Sequence, residues 1–473
     1  MYRPLCNKSN LAASMRLTWR LVLACTGFAI VLHLAANNSF AQRAVTAKDL
    51  IGDAVPEVGP KHADIDEAIK RFGNRDPLGA RAYLEEAKKK DATLPPTDIT
   101  LAKMYFLSGN AAAGRAAIEK STAEFPNDPE PYLLFADQYF NQGNIIESDA
   151  LYDKGMQLTD RFNENQKRKR NFSIRARWGR AMIAERRKKW PEMTAELDAL
   201  LKIDDHHAQA HYRRGVALCM QDKFTEGFKA FELAKKEDQE KTLPNAWLAT
   251  ALMLDRLDRV QQSQRAFEEA IKLEPKDLAT ITSYASWLMR NDKLSEAETR
   301  LAAARISHPD ALDVFTLSGV AARMNKKPKE AEDFFVTALG KAPAHVGVMN
   351  QLATLLIGQE DEQKKVRALQ FAAMNAKLNA DSADANITLA WVNFKLGRAN
   401  EATTALRAGL QLGALSPDSS YLVAEIFSSQ NRPEDVETTK RLLSEALASD
   451  QPGIFIHRKD AEELLKKVTG SAR

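Results

Sequence analysis

The densest charge in the chain lies in Arg161–Trp190, where twelve basic residues stand against two acids, Glu164 and Glu185. On a helix, Arg175, Trp178, Met182 and Arg186 recur every three or four residues and share one side. An indole among guanidinium groups suits a peptide bearing acidic and aromatic groups, or an anionic glycan. The same run also reads as an extended helix with a solvated, charged surface. A second cluster, Asp204-Asp-His206-His207-Ala-Gln-Ala-His211, places His207 and His211 one turn apart, the spacing of a zinc pair. Its position at a junction between repeated units favours a solvated polar turn, and no metal site is expected. The chain has no phosphate-cradling glycine loop, nucleophile elbow, HExxH helix or paired CxxC motif. No catalytic residue, cofactor or enzymatic activity is therefore expected. Cys219 sits in the apolar run Val216-Ala-Leu-Cys219 and reads as a small buried hydrophobe.

The elements that must position these residues repeat. Pro275, Pro309 and Pro343 are spaced by 34 residues, and small residues recur with them: Ala251, Ala285, Gly319, then Ser263, Ala297, Ala331, then Ala270, Ala304, Ala338. The first small position runs Ala68, Ala102, Ala136, Ala181, Gly215, Ala251, Ala285, Gly319, Ala353, Ala390, Ala424. Its counterpart runs Ala80, Gly114, Ser148, Met193, Gly227, Ser263, Ala297, Ala331, Ala368, Ala402, Val436. Both series keep step through the exceptional spacings of 45, 36 and 37 residues, so they describe about eleven units of two antiparallel helices. Trp247, Phe267, Leu301, Phe315, Phe335 and Tyr152 fall at packing positions. Gly109-Asn, Gly143-Asn and Gly397-Arg, with Asp222-Lys, Asn291-Asp and Asn431-Arg, fall between the helices of their units. Extra residues enter around Asn163–Ser173, near Thr242 and in Gln359–Gln363.

With these residues, the chain resembles the tetratricopeptide-repeat (TPR) family. The resemblance implies an all-α, right-handed α-solenoid whose first helices line a concave, partner-binding groove. In that register Arg175, Trp178, Met182 and Arg186 line the groove, and Trp391, next to Ala390, lies on its groove side. In chaperone-binding members a lysine and an asparagine four residues on clamp a terminal carboxylate. Here the comparable pairs are Ile99/Lys103, Leu133/Asp137, Tyr212/Val216 and Leu248/Leu252, so that partner class is not implied. What the resemblance implies is a non-enzymatic scaffold for proteins or peptides. For exported bacterial members it implies an envelope assembly: secretion, outer-membrane, pilus or exopolysaccharide machinery. The alternative is an anionic glycan- or peptide-binding module acting through 161–190.

Composition agrees with an all-α reading, since alanine, leucine, lysine and glutamate dominate. The net charge of +4 comes from 67 basic and 63 acidic residues. Arg3, Lys8, Arg16 and Arg20 account for the whole excess, which argues against nucleic acid as partner. Those charges precede the apolar run Leu21–Ala36, and Ser39-Phe-Ala41 precedes Gln42, the order of an export signal. The run is shorter than the ~20 residues of a bilayer span. The expectation is cleavage near Ala41, giving a periplasmic or secreted product with no stable membrane span; the alternative is retention as an N-terminal membrane anchor. Val22-Leu-Ala-Cys25 also resembles a loose lipoprotein box. The expected organisation is 1–41 signal peptide, 42–60 linker, 61–162 units 1–3, 163–173 basic insertion, 174–451 units 4–11, and 452–473 capping helix and tail.

Overall fold

The computed structural model describes residues 45–430, 432–449 and 453–470. The export signal expected in residues 1–41 and the inter-helix position expected at Asn431 lie outside them. The described residues form 24 α-helices and one short 3-10 turn, with no strand among them. After α1 (Ala47–Ile51), helices pair in sequence. The pairs are α2 (Ala63–Gly73) with α3 (Pro77–Lys90), α4 (Thr97–Leu107) with α5 (Ala111–Glu124), and α6 (Pro129–Asn141) with α7 (Ile145–Arg161). Next come α8 (Gln166–Arg186) with α9 (Trp190–Leu201), α10 (Ala208–Cys219) with α11 (Phe224–Glu237), and α12 (Ala246–Arg256) with α13 (Val260–Leu273). Then follow α14 (Leu278–Arg290) with α15 (Leu294–Ser307), α16 (Leu312–Met324) with α17 (Pro328–Lys341), and α18 (Val346–Ile357) with α19 (Glu362–Leu378). The last pairs are α20 (Ala383–Lys395) with α21 (Ala399–Gln411) and α22 (Pro417–Ser429) with α23 (Pro433–Leu447), before a single α24 (Arg458–Gly470). The chain divides into two compact units, one ending at Glu269 and one continuing from Ala270.

The two small-residue series lie where the helices of a pair cross. Every alanine of the first series is fully buried, and Ser148 and Ser263 of the second donate to the carbonyls of Ala136 and Ala251 at 2.8 and 2.9 Å. A Cβ added at Gly319 would lie 2.5 Å from the Phe335 ring, so the close crossing requires its absence. Phe267, Leu301, Phe335 and Tyr152 are buried as expected, while Trp247 and Phe315 are half-buried. Trp247 tilts against Phe228, with ring centres 4.6 Å apart, and Lys341 lies over the Phe315 ring.

A residue in the left-handed conformation ends the first helix in most pairs. It recurs at Arg75, Gly109, Gly143, Lys188, Asp222, Asp258, Asp292, Lys326 and Gly397. The sites reproduce the irregular spacing of the small residues, so turn and crossing carry one period. Pro275, Pro309 and Pro343 each stand two residues beyond the second helix of their pair, where a helix cannot continue through them. At the far end α24 packs on α22 and α23. Ala461 and Leu464 are buried there, joined by Phe455, Leu465 and Val468, so α24 covers the apolar side of the last pair.

Two segments differ from the sequence reading. Within 42–60, expected as a linker, Ala47, Leu50, Ile51, Ala54 and Val55 are buried in one cluster with residues of α2, α3 and α4. An aliphatic spacing too short to stand out as a helix is what hid it. The residues expected as a separate insertion, 163–173, instead lengthen a first helix. α8 has 21 residues where the other first helices have 11 to 13, and it is ~31 Å long at 1.5 Å per residue.

Candidate binding surface on the first helices

Most of the basic cluster is used within the fold. Arg175 Nε donates to Asp137 Oδ2 at 2.7 Å, and Asp137 also accepts from the buried Tyr152 hydroxyl. Burial opposes the Arg175 charge, but Asp137 outweighs it and raises the guanidinium pKa. For Tyr152, burial and then Asp137 push the phenol upward. Arg177 and Arg180 share Glu196 at 2.7 and 2.8 Å, and Arg187 meets Asp149 at 2.5 Å. Arg170 pairs with Asp204, Lys189 with Glu192, and Lys169 donates to the Asp160 carbonyl. Arg175, expected on the groove side for an acidic or anionic partner, already has an acid of its own in Asp137. Neighbouring helices supply its acid, a pairing that residue counts along one helix do not reveal.

The structure brings Trp178, Met182 and Arg186 together on one side of α8, all half-buried. The Trp178 ring stacks on His207 with centres 5.4 Å apart and planes 21° from parallel, and both Trp178 and Met182 pack against the cluster around Ala181, Leu197 and Ala210. The Arg186 guanidinium stands 5.2 Å over the Phe140 ring of α6. Trp391 belongs to the other compact unit. In the unit that begins at Ala270 it packs beside Phe394, 5.7 Å between centres, with Lys395 Nζ 5.3 Å over its ring.

The histidine cluster is divided among separate tasks. His207 Nδ1 accepts from the Ala210 amide and caps α10, His206 meets Glu237 at 2.8 Å, and His211 Nε2 contacts the Asp205 carbonyl at 2.8 Å. No group of metal-binding side chains occurs among the described residues. Burial raises the Cys219 thiol to about 12, and the side chain is wholly enclosed.

A second constellation on the first helices escaped the sequence reading as a site. Lys103 of α4, Asp128 before α6, Glu130 of α6 and Arg168 of α8 form a buried ionic network. Lys103 Nζ lies 2.6 Å from Glu130 Oε1 and 2.9 Å from Asp53 Oδ2. One Arg168 nitrogen reaches Asp128 at 2.8 Å and Glu130 at 2.9 Å, while its guanidinium lies 5.1 and 5.0 Å from the Phe162 and Phe172 ring centres. Arg168 and Glu130 are each 1 % exposed, so every charge in the network depends on its partners. Burial would raise the Glu130 carboxyl, but Lys103 and Arg168 outweigh it and hold it down to about 2. Burial would also lower Lys103, and Glu130 with Asp53 reverse that. The sequence signal was available in part: Lys103 stood at a groove position occupied by aspartate or aliphatic residues in the other pairs compared.

Among known families, residues 285–346 match the tetratricopeptide repeat model. No curated protein matches the chain in sequence. Among solved structures, the chain is similar to the anaphase-promoting-complex assembly Cut9–Hcn1, at 12% identity, covering 87% of this chain and 96% of that one, with a TM-score of 0.38. It is also similar to yeast Tom70, at 13% identity over 87% of this chain and 96% of that one, TM-score 0.39. A third likeness is to PilW, a type IV pilus biogenesis factor, at 16% identity over 42% of this chain and 90% of that one, TM-score 0.34. At such identities and scores these likenesses carry nothing about partners. No helix among the described residues is long and apolar enough to cross a membrane. By the family match, residues 285–346, from α14 to the start of α18, are a tetratricopeptide-repeat segment, and helical pairs of the same kind precede and follow it.

Proposed function

We propose that this protein is a non-enzymatic scaffold, exported from a bacterial cell, that holds other proteins or peptides on its first helices within an envelope assembly. Secretion, outer-membrane and exopolysaccharide machinery are the settings this reading covers. The observation that carries it is the side of α8 where Trp178, Met182 and Arg186 lie together, each braced by the fold yet still reachable from solvent. Aromatic and arginine side chains held in place contribute most to protein contacts because little entropy remains to be lost. Export rests on the order of charge, apolar run and small residues in 3–41. The ion pairs around Arg175, Arg177, Arg180 and Arg187 weaken the alternative of an anionic glycan, since those charges already have acids.

The test compares the native chain with Trp178→Ala, using partners captured from bacterial envelope extract and then purified. Faster dissociation of a partner from the variant, with helical content unchanged, is the expected result. Identical dissociation from both proteins would remove the α8 surface from the reading. Terminal sequencing of the expressed protein checks export separately: a start at Gln42 is expected, and Met1 in the membrane fraction would favour the anchor.

A further inference from the structure

The ionic network serves a segment of this same chain. α1 and the turn after it, Thr46–Val55, lie against α4 and α8. Thr46 caps α1, its hydroxyl accepting from the Asp49 amide while the Asp49 carboxylate accepts from the Thr46 amide. Five carbonyls, one in the last turn of this short helix and four in the turn that follows it, each receive a side-chain donor. Lys103 Nζ reaches the Leu50 carbonyl at 3.2 Å; Lys167 Nζ reaches Gly52 and Val55 at 2.6 and 2.5 Å. Asn171 donates to the Asp53 carbonyl at 3.0 Å and Asn165 to that of Ala54 at 2.7 Å. The carboxylate of Asp53 closes the set on Lys103 at 2.9 Å.

A helix C-terminus leaves its last carbonyls without intrahelical partners and carries partial negative charge. Two ammonium groups and two amides meet the carbonyl of Leu50 in the last turn of α1 and those of Gly52, Asp53, Ala54 and Val55 in the turn beyond it. Lys167, Asn165 and Asn171 all come from the eleven residues by which this unit exceeds the 34-residue period. The repeat has no use for them in its own crossings, and in the fold they point to a peptide more than a hundred residues earlier. Arg168, between them, is fixed by Asp128 and Glu130, which orders the N-terminal part of α8. Leu50, Ile51, Ala54 and Val55 supply the apolar side of the contact, and Glu57, in the turn that follows, is exposed.

We propose that α2, α3, α4 and the extended part of α8 form a peptide-binding site whose ligand is Thr46–Val55 of the same chain, held as a tethered and exchangeable occupant. The site recognises the C-terminal end of a short helix followed by an aspartate, with aliphatic residues at the positions of Leu50, Ile51, Ala54 and Val55. Recognition runs largely through main-chain carbonyls, so a second copy of the segment, presented by another chain or as a free peptide, meets the same donors. While the segment is bound, this face is closed to other ligands. The inference concerns a different surface from Trp178 and Met182 and stands without the proposed partner there.

The test uses the full chain with a protease recognition sequence inserted between Glu57 and Val58. After cleavage, a fluorescent peptide of residues 44–58 is added, and its uptake is followed by anisotropy and gel filtration. The cleaved protein is expected to retain its helical signal and to exchange its own segment for the labelled peptide, while uncleaved protein takes up at least tenfold less. Combining Lys167→Met with Asn165→Ala is expected to lower uptake by the cleaved protein at least tenfold. A peptide with Asp53→Asn is expected to bind several-fold more weakly. Three results would overturn the proposal: cleaved, folded protein that takes up no peptide, equal uptake of a scrambled peptide, or loss of helical signal on cleavage. The last would make the segment an integral part of the core.

Discussion

A terminal segment meets first helices in each of the two compact units, and the two contacts are built on different chemistry. In the unit ending at Glu269, the segment around Asp53 meets buried cations that are balanced by Asp53, Asp128 and Glu130. In the unit from Ala270, the segment before α24 brings His457 to Arg323 of α16. There the guanidinium donates to neutral acceptors, Gln351 at 2.7 Å, Thr354 at 2.8 Å and His457 Nε2 at 3.0 Å. His457 Nδ1 lies 2.7 Å from Asp418 Oδ1. The Arg323 charge is accordingly disfavoured: burial lowers its pKa, and Asp418 and Asp460 oppose that only in part. A buried ion pair is costly to form but costlier to break halfway, because removing one member strands the other. A contact through neutral acceptors loses less when one of them goes.

That difference predicts unequal responses. The largest is expected from Glu130→Ala, which leaves Lys103 with Asp53 alone and Arg168 with Asp128 alone and should cost about 3–5 kcal/mol. Hydrogen exchange should show the loosening in α1, α4 and α8, with α16–α24 unchanged; uniform loosening would break the comparison. Acid sharpens it. The Glu130 carboxyl, ordinarily near 4.5, is held at about 2 in the fold, so its contribution is complete above about 4.5 and fades as pH falls toward 2. Proteolysis of the turn at Pro56–Gly59 should therefore accelerate over that interval, and should do so less in Glu130→Gln.

A smaller effect, about 1–3 kcal/mol, is expected from Ala285→Trp, which forces bulk into a crossing where Ala285 is fully buried. It involves no charge, and its loosening should centre on α14–α17, as nearest-neighbour stabilisation of repeats requires. If α22 and α24 loosened equally, the unit from Ala270 would not be a linear array of pairs. The smallest, about 0.5–1.5 kcal/mol, is expected from His457→Phe, which removes one acceptor from Arg323 and one partner from Asp418 while keeping a ring to stack on Tyr421. Urea unfolding measures it; a loss as large as that of Glu130→Ala would erase the distinction between the two contacts.

The pairs and their crossings were legible because each rests on a local rule repeated many times. Ala102, Ala136 and Ala285 had to be small for helices to approach, and Pro275 had to stop a helix, wherever the unit stood in the chain. Charge was legible only as composition. Arg175 looked available to a partner because its acid, Asp137, belongs to another pair, and nothing along the twelve basic residues shows that Glu196, Asp149 and Asp204 stand beside them. Helical spacing is enough to set Trp178 on one side of α8 with Met182 and Arg186, but it does not show the stacking partner His207, which the sequence offered as a metal-site candidate.

By itself the sequence determined the period, the number of pairs, the small residues at their crossings and the place where eleven residues exceed the period. Only the tertiary structure decided what those residues do. Lys167, Asn165 and Asn171 grip Gly52, Asp53, Ala54 and Val55 through carbonyls that every residue possesses, so no side-chain pattern in 46–55 announces the contact. A repeat is written in side-chain size at fixed intervals and can be read along the chain. A main-chain hydrogen bond across more than a hundred residues leaves its mark only on the donor, and the donor alone does not say what it holds.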